Sequence, residues 1–163
     1  MILRLGLVLP LLFAPSLKAE DCHVTPGWES REIVAVELSR EPSQELFEMS
    51  VRKADSAAKR AAGYQWICER DALDTAVLFV FPRTVPSAFH MRNVYVPLDI
   101  HFFDSTGQQV DAMVMRPEPP GSNLEPRYYR PAGSFRYALE VARPHSHDLE
   151  SAPARLRLLV DSL

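Results

Sequence analysis

The sequence lacks most of the short motifs that identify an enzyme. It has no phosphate loop, no dinucleotide fingerprint, no cysteine and histidine spacing typical of zinc, and no serine in a Gly-x-Ser-x-Gly context. It also lacks internal repeats and low-complexity tracts. These absences favour a non-catalytic role and give no reason to predict a cofactor.

Long apolar segments are also missing after the N-terminus, so no membrane span is predicted for the mature chain. Residues 1–19 carry Arg4 near the start, and Pro10 and Pro15 interrupt their apolar core. The stretch ends at Ala19, before a polar switch. This pattern predicts a signal peptide cleaved near Ala19, and therefore a periplasmic or secreted protein.

Neither sign of charge dominates the composition. The formal net charge is −3, and removal of a leader with Arg4 and Lys18 would change it from −3 to −5. A mildly acidic chain of this kind argues against nucleic acid as the main partner.

Cysteine is scarce, with Cys22 and Cys68 the two examples. An exported chain meets an oxidising compartment, where a cysteine pair forms a disulfide more often than a catalytic thiol. We therefore predict a Cys22–Cys68 bridge, which would close a loop of about 46 residues and stabilise the fold by about 4 kcal/mol.

Short β-type segments dominate the rest of the 163 residues. Alternating or continuous apolar runs predict strands, while residues 55–64, with an Asp or Ser N-cap and Gly63 as a stop, predict one short helix. The fold class is mainly β, a compact antiparallel sandwich or barrel of the jelly-roll kind. We divide the chain into a signal peptide (1–19), an N-terminal arm with the first strand (20–45) and a single β domain (46–163). The predicted strands cover residues 32–38, 46–52, 76–81, 88–96, 98–103, 108–115, 135–141 and 155–160.

The clearest turn lies between residues 98–103 and 108–115. A three-residue loop with Gly107 in the left-handed position sets the register of this hairpin. Because side chains alternate along a strand, one apolar face is expected to hold Leu98, Ile100, Phe102, Val110, Ala112 and Val114. The other face would then be solvated, with His101 across from Asp111.

Polar residues around this hairpin are the predicted ligand-binding site. Asp99, His101 and Asp111 would place an imidazole between two carboxylates, beside the long loop 116–130. Asn93 and His90 on the preceding strand complete the predicted set. An alternative role for Asn93 and Asp99 is to fix the corner around Pro97.

The sequence leaves two other functions open. A copper or zinc handling protein could use Met113, Met115, His101 or His90, although core packing also accounts for the methionines. His145 and His147 in a polar loop could bind a metal adventitiously. A hydrolase centred on His101 is the third interpretation, but no nucleophile can be placed beside that residue.

Several blocks together resemble a known family. The run AVLFVF, the segment FHMRNVYVPLDIHFFDSTGQQV and the later YALEV are similar to "domain of unknown function 192", over about residues 47–141. Met91, Asn93, Pro97, Leu98 and Asp99 carry the most specific part of the match. The resemblance implies a small, mainly β fold of the sandwich or jelly-roll kind behind an export signal, and no established activity or ligand.

This chain departs from the family pattern at a few apolar positions. His90 stands where the family usually has Trp, Tyr64-Gln65 replaces Leu-Met, and Thr75-Ala76 replaces Gly-Met. If these positions line a pocket in relatives, the pocket of this member is more polar. The preferred interpretation is an exported, non-catalytic module of the cell envelope that binds a small ligand or another envelope protein.

Overall fold

The computed structural model describes residues 22–40, 43, 45–121, 125–143 and 154–159. The predicted signal peptide with its cleavage near Ala19, and the polar loop with His145 and His147, lie outside the described residues.

The described chain forms three short helices and nine strands. In chain order these are α1 (Pro26–Glu29), β1 (Ile33–Arg40), β2 (Glu45–Ala54), α2 (Ala57–Ala62), α3 (Glu69–Leu73), β3 (Ala76–Val85), β4 (Phe89–His90), β5 (Leu98–Phe103), β6 (Gln109–Met115), β7 (Tyr128–Tyr129), β8 (Phe135–Ala142) and β9 (Ala154–Leu158).

Seven strands form one mixed sheet in the order β6-β5-β8-β3-β2-β1-β9. Neighbouring strands are antiparallel except β2 and β3, which are parallel and are connected through α2 and α3. β4 and β7 form a separate two-stranded sheet. The edges of the main sheet approach at a bridge between Gln108 and Arg155, but in the described residues the sheet is not closed into a barrel. The predicted mainly β fold class is confirmed.

The main sheet is buried on two faces. Its outer face packs against the helices and the small sheet, through residues such as Phe79, Phe102 and Tyr64. Its inner face brings together side chains from the strands at both ends of the sheet, including Leu38, Leu78 and Leu156. Because β3 lies between β8 and β2, its first residues are buried on both faces, as the apolar run 76–81 predicted.

The helix predicted over residues 55–64 is α2. The Ser56 hydroxyl accepts a hydrogen bond from the Lys59 N–H at 3.2 Å, and Gly63 ends the helix with a φ of 45°. The sequence predicted one helix, whereas α1 and α3 are also present. With 4 and 5 residues, they are too short to show a helical period.

The structure has the predicted bridge between Cys22 and Cys68. Their sulfur atoms lie at bonding distance and their Cα atoms are 4.9 Å apart, within the usual range for a disulfide. The bridge joins the segment before α1 to the N-cap of α3.

The turn between β5 and β6 has the predicted form. Gly107 has a φ of 82°, and the Asp104 N–H donates to the Gln108 carbonyl at 2.9 Å. The Asp104 carboxylate stabilises the turn further by accepting from the Thr106 N–H at 2.7 Å. The first strand pair, Phe103 with Gln109, therefore follows the expected register.

Beyond that pair the predicted register is wrong. An irregularity at Val110 shifts the pairing by one residue, so Phe102 pairs with Asp111 and His101 pairs with Ala112. A bulge of this kind exchanges the two faces of a strand. Asp111 thus lies on the same face as Ile100, and the expected apolar partner Val114 is 48% exposed.

The predicted solvated face is wrong as well. Asp99 and His101 are each only 5% exposed, because β5 is buried along its whole length between β6 and β8. Because both faces of β5 are buried, its side chains need not alternate between apolar and polar. The alternation of apolar and polar residues therefore did not predict the register of β5 and β6.

The strand predicted over residues 88–96 is much shorter in the structure. Only Phe89–His90 is extended, and the chain then turns, with the Val94 N–H donating to the Met91 carbonyl at 3.0 Å. Asn93 has a φ of 60°, a left-handed conformation that ends strand geometry.

No helix among the described residues is long and apolar enough to cross a bilayer.

Candidate functional site

The structure does not bring Asp99, His101 and Asp111 together. Asp99 and His101 lie on the inner face of β5, whereas Asp111 lies on the outer face of β6. The expected arrangement of an imidazole between two carboxylates is therefore absent.

Asp99 is held by Arg143 at the end of β8. The Arg143 Nε lies 3.0 Å from Asp99 Oδ1 and 3.2 Å from Oδ2, and the Arg143 backbone N–H donates to the Pro97 carbonyl at 3.1 Å. The corner at Pro97 is thus fixed by Arg143 and Asp99. Asn93 instead bonds Gln65, through Nδ2 to Oε1 at 3.3 Å.

His101 contacts Gln109, the residue that joins the two edges of the sheet. Its Nδ1 lies 3.4 Å from Gln109 Oε1, which also accepts from the Ala154 N–H of β9 at 3.3 Å. Because Oε1 is an acceptor, the Nδ1 of His101 carries the hydrogen. Burial lowers the pKa of His101, while the Gln109 bond and the Asp99 charge partly oppose the change.

Asp111 has a local structural role. One carboxylate oxygen accepts from the Ala112 N–H at 2.8 Å and the other from the Ala132 N–H at 2.8 Å. These bonds join β6 to the turn before β8.

The methionines proposed for copper pack in the core. Met115 is fully buried and Met113 is partly buried against the same outer-face cluster. Within the described segments no three His, Cys, Asp or Glu residues are grouped so that they could hold a metal ion.

The loop 116–130 borders a recess of about 590 Å³. Prolines and exposed charged side chains such as Arg116 and Arg127 line much of it. Among its described liners the buried one is Tyr129, whose hydroxyl accepts from the Arg116 N–H at 2.9 Å. These described liners thus include no buried ionisable group that is free to select a ligand.

A smaller cavity, of about 240 Å³, has such a group at Glu140 of β8. We call it the Glu140 cavity. Its walls are the end of α2 and the turn after it, β3, and the segment from Ser87 to Val94 that includes β4. The liners are Arg60, Ala61, Gly63, Tyr64, Gln65, Phe79, Phe81, Ser87, Ala88, Phe89, His90, Val94 and Glu140.

Glu140 is an acid in an apolar environment. Glu140 is 4% exposed, and no hydrogen bond to its carboxyl group is found among the described residues. Burial raises the pKa of Glu140 to about 8, and the charge of Arg31 only partly offsets this effect. At neutral pH the group is therefore mostly protonated and can both donate and accept a hydrogen bond.

Arg31 is the buried cation next to this acid. Its Nη2 donates to the carbonyls of Lys59 at 2.9 Å and Gly63 at 3.0 Å, and its guanidinium lies 5.1 Å from the centre of the Trp28 ring. Burial lowers the pKa of Arg31 to about 10, while Glu140 raises it. Its Nε and Nη1 find no partner in the described part of the chain. Arg31 therefore acts on Glu140 at longer range than a salt bridge.

Tyr64 lines the cavity, but its hydroxyl is already bound to the backbone and is not available to a ligand. The hydroxyl donates to the Thr75 carbonyl at 2.6 Å and lies 3.4 Å from the backbone oxygen of Glu140. Burial, followed by the charge of Glu140, raises the pKa of Tyr64 well above its ordinary value. The phenol thus stays neutral and positions β8 against the turn after α2.

Two residues next to cavity liners, Trp66 after Gln65 and Asn93 before Val94, have left-handed backbones. Trp66 has a φ of 68°, which is unusual for a bulky side chain, and Asn93 has a φ of 60°. The Trp66 N–H donates to the Asn93 carbonyl at 2.8 Å, and the Trp66 carbonyl accepts from the His23 N–H at 2.8 Å. These bonds, together with the nearby disulfide at Cys68, fix the turn that carries Gln65.

His90 is the one predicted site residue that lines the cavity, and Asn93 contacts the liner Gln65. The His90 Nδ1 accepts from the Arg92 N–H at 3.3 Å, so its Nε2 carries the hydrogen and is a donor. Tyr64, Gln65 and His90 are three of the five positions where the sequence departs from its family pattern. The other two, Thr75 and Ala76, do not line the cavity.

Sequence reasoning missed Glu140 and Arg31. The alternation of residues 135–141 puts Glu140 on the side of Arg136, opposite Leu139 and Val141, a pattern typical of an exposed position. The sequence does contain one sign of burial. Glu140 lies in the segment ALEVA, where the two residues on each side are apolar, and such a segment is also typical of a strand buried on both faces. The sequence around Arg31 does not indicate burial. Its guanidinium is buried by contacts with the backbone of α2 and Gly63 and with the Trp28 ring.

Comparison with known proteins agrees with this fold. The family described as "Uncharacterized ACR", domain of unknown function 192, matches residues 37–151. Among solved structures, a "putative transcription regulator" from Sinorhizobium meliloti 1021 is 25% identical, with a TM-score of 0.66 over 79% of this chain and 95% of that one.

A protein of unknown function from Novosphingobium aromaticivorans DSM 12444 is 20% identical, with a TM-score of 0.65 over 85% of this chain and 92% of its own. No curated protein matches. Because the family match covers most of the sequence, this chain belongs to the domain of unknown function 192 family.

Proposed function

We propose that this protein is an exported, non-catalytic module that binds a small ligand in the Glu140 cavity. The observation that carries the proposal is the carboxyl group of a buried residue that is free of hydrogen bonds from described residues and part of a cavity wall. A carboxyl group without a hydrogen-bond partner in an apolar environment lowers stability, so its presence calls for an explanation such as ligand binding. Perturbed acids in apolar pockets are frequent at binding sites.

The other liners suit recognition. Phe79, Phe81 and Phe89 give apolar ring surface, while Ser87 and the Nε2 of His90 offer polar groups. The ring centres of Phe79 and Phe89 are 5.0 Å apart in an edge-to-face arrangement, which limits their movement. A ligand would thus meet a preformed apolar wall with few polar contacts.

Export is part of the proposal. It is supported by the leader pattern of residues 1–19 and by the Cys22–Cys68 bridge, since such bridges persist in oxidising compartments. Expression in a Gram-negative host of the full chain and of a form lacking residues 1–19 tests it. Export predicts that only the full chain reaches the periplasm, with an intact mass corresponding to cleavage near Ala19. Cytoplasmic retention of the uncleaved full chain would contradict export.

Ligand binding is tested by screening a mixed fragment library against the ¹⁵N-labelled protein. Binding in the cavity predicts amide shifts centred on Gln65, Phe89 and His90. Ala88→Trp should fill the cavity and abolish these shifts. Ala132→Trp, at an exposed site away from the cavity, is the matched control and should leave them unchanged. Shifts that centre on His101, or that persist in Ala88→Trp, would place the ligand elsewhere.

A further inference from the structure

We propose that the ligand is a small amine with an apolar body, whose ammonium group is bound by the carboxylate of Glu140. This inference rests on the proposed function and adds the chemical class of the ligand. Three features support it: the buried residues that line the cavity, the phenylalanine rings in its wall and the charged groups around Glu140.

The inner end of the cavity presents one polar side chain that is free to bind. Among its liners, Tyr64, Phe79, Val94 and Glu140 are the buried ones, at 2%, 2%, 3% and 4% exposure. Tyr64 uses its hydroxyl on the Thr75 carbonyl at 2.6 Å. The end of a ligand that reaches this depth therefore meets the carboxyl group of Glu140 and otherwise apolar surface.

The aromatic wall favours a cation at that depth. The faces of phenylalanine rings attract positive charge, and this cavity already shows the effect at its rim. There the Arg60 guanidinium lies 4.9 Å from the centre of the Phe81 ring, while its Nη1 donates to the Val80 carbonyl at 2.9 Å. Phe79 and Phe89 line the same cavity as Glu140 and add aromatic surface to its wall.

The charges around Glu140 predict a proton release on binding. The ionisable groups near it are Arg31 from the α1–β1 connection, Tyr64 after α2, and the liners Arg60 and His90. Arg31 already favours the carboxylate, but burial outweighs it and keeps the acid mostly protonated. An ammonium group adds a second positive charge, so Glu140 transfers its proton to solvent and an ion pair forms.

Single-ring compounds are suitable probes for a cavity of about 240 Å³. Benzylamine, benzyl alcohol and benzoate share one ring and differ in charge. We expect benzylamine to bind the full chain about tenfold or more tightly than benzyl alcohol, as a charged hydrogen bond allows. Benzoate should bind least, because its carboxylate must lose water and cannot form an ion pair with Glu140. Calorimetry near pH 7 in buffers of different ionisation enthalpy should detect release of most of one proton with benzylamine only.

Two variants test the role of Glu140. In Glu140→Gln the preference for benzylamine over benzyl alcohol should disappear and the proton release should fall to zero. Glu48→Gln, which removes an exposed carboxylate of β2, should keep both. The amide variant is expected to fold, and its melting curve checks this directly.

The outcomes separate the ligand class from the cavity itself. Equal affinities for the amine and the alcohol, both lost in Ala88→Trp, would overturn the amine proposal and leave the cavity as a binding site. A preference for benzylamine that survives in Glu140→Gln would also overturn it. If none of the three probes binds, the amine proposal is wrong, and the fragment screen decides separately whether the cavity binds anything.

Discussion

The backbone of Gly107, in the β5–β6 turn, lies directly against that of Leu156 in β9. The Leu156 N–H donates to the Gly107 carbonyl at 2.7 Å, and a Cβ at Gly107 would overlap the Leu156 carbonyl oxygen. This contact joins strands that lie at opposite ends of the sheet order.

Gly107→Ala is therefore expected to lower the free energy of unfolding by about 2–4 kcal/mol, from left-handed strain plus the backbone clash. Gly121→Ala, with a φ of 88° and nothing within 4 Å of the added Cβ, should cost only about 1 kcal/mol. Gly133→Ala, with open space and no positive φ, should be nearly neutral. Urea unfolding of the three variants measures this order. Equal losses for Gly107→Ala and Gly121→Ala would mean that the contact with β9 is unimportant.

Glu140→Gln is expected to stabilise the protein at neutral pH. The pKa of Glu140 is raised from 4.5 to about 8, so between these values the folded state holds a proton that the unfolded state has lost. Stability from this group therefore falls as pH rises through that window. At pH 7 the variant should gain up to about 3 kcal/mol, and the gain should vanish near pH 4.5.

The difference in urea midpoint between the variant and the parent chain, followed from pH 4.5 to pH 8, measures this effect. Comparing the two chains cancels the contribution of His101. Glu48→Gln should show no such trend. A constant difference between Glu140→Gln and the parent would contradict the raised pKa.

Loss of the Cys22–Cys68 bridge should destabilise the fold by about 3–4 kcal/mol, because the bridge spans a sequence separation of 46. The doubly substituted Cys22→Ser, Cys68→Ser variant should match the reduced parent chain in melting temperature. Reductant should not affect the variant. If reductant leaves the melting of the parent unchanged, the bridge contributes little.

The Asp99–Arg143 pair should show strong coupling. Asp99 has a side chain only 7% exposed and Arg143 binds both of its oxygens, so a double-mutant cycle with Asp99→Asn and Arg143→Gln should give about 1–3 kcal/mol. The Glu37–Arg157 pair is the control, since Arg157 is 74% exposed and the closest atoms are 3.8 Å apart. Its coupling should stay below about 1 kcal/mol. Similar couplings for the two pairs would contradict the role assigned to burial.

Local patterns in the sequence predicted the local structure well. Ser56 and Gly63 bound α2 as expected, the run 76–81 is a central strand, and Gly107 has the left-handed backbone that its turn requires. Each of these features depends on the conformational preference of a few neighbouring residues.

The site could not be predicted in the same way. A single extra residue at Val110 reverses the faces of β6, and no nearby residue type marks it. Glu140 and Arg31 are 109 positions apart in the sequence, counted from 31 to 140, and only the assembled sheet and helices give them a common environment. His90 lines a cavity, but the residues that form this cavity with it come from distant segments.

The Glu140 cavity is built from α2, β3, the segment around β4 and β8, which are far apart along the chain. No fragment of the protein can reproduce it, so an occupant would bind only to the completely folded chain. By mass action, occupancy would then protect the entire molecule against unfolding. Amide hydrogen exchange should slow together in β3 and β8 when the ligand is present, and proteolytic resistance would report binding before the ligand is identified.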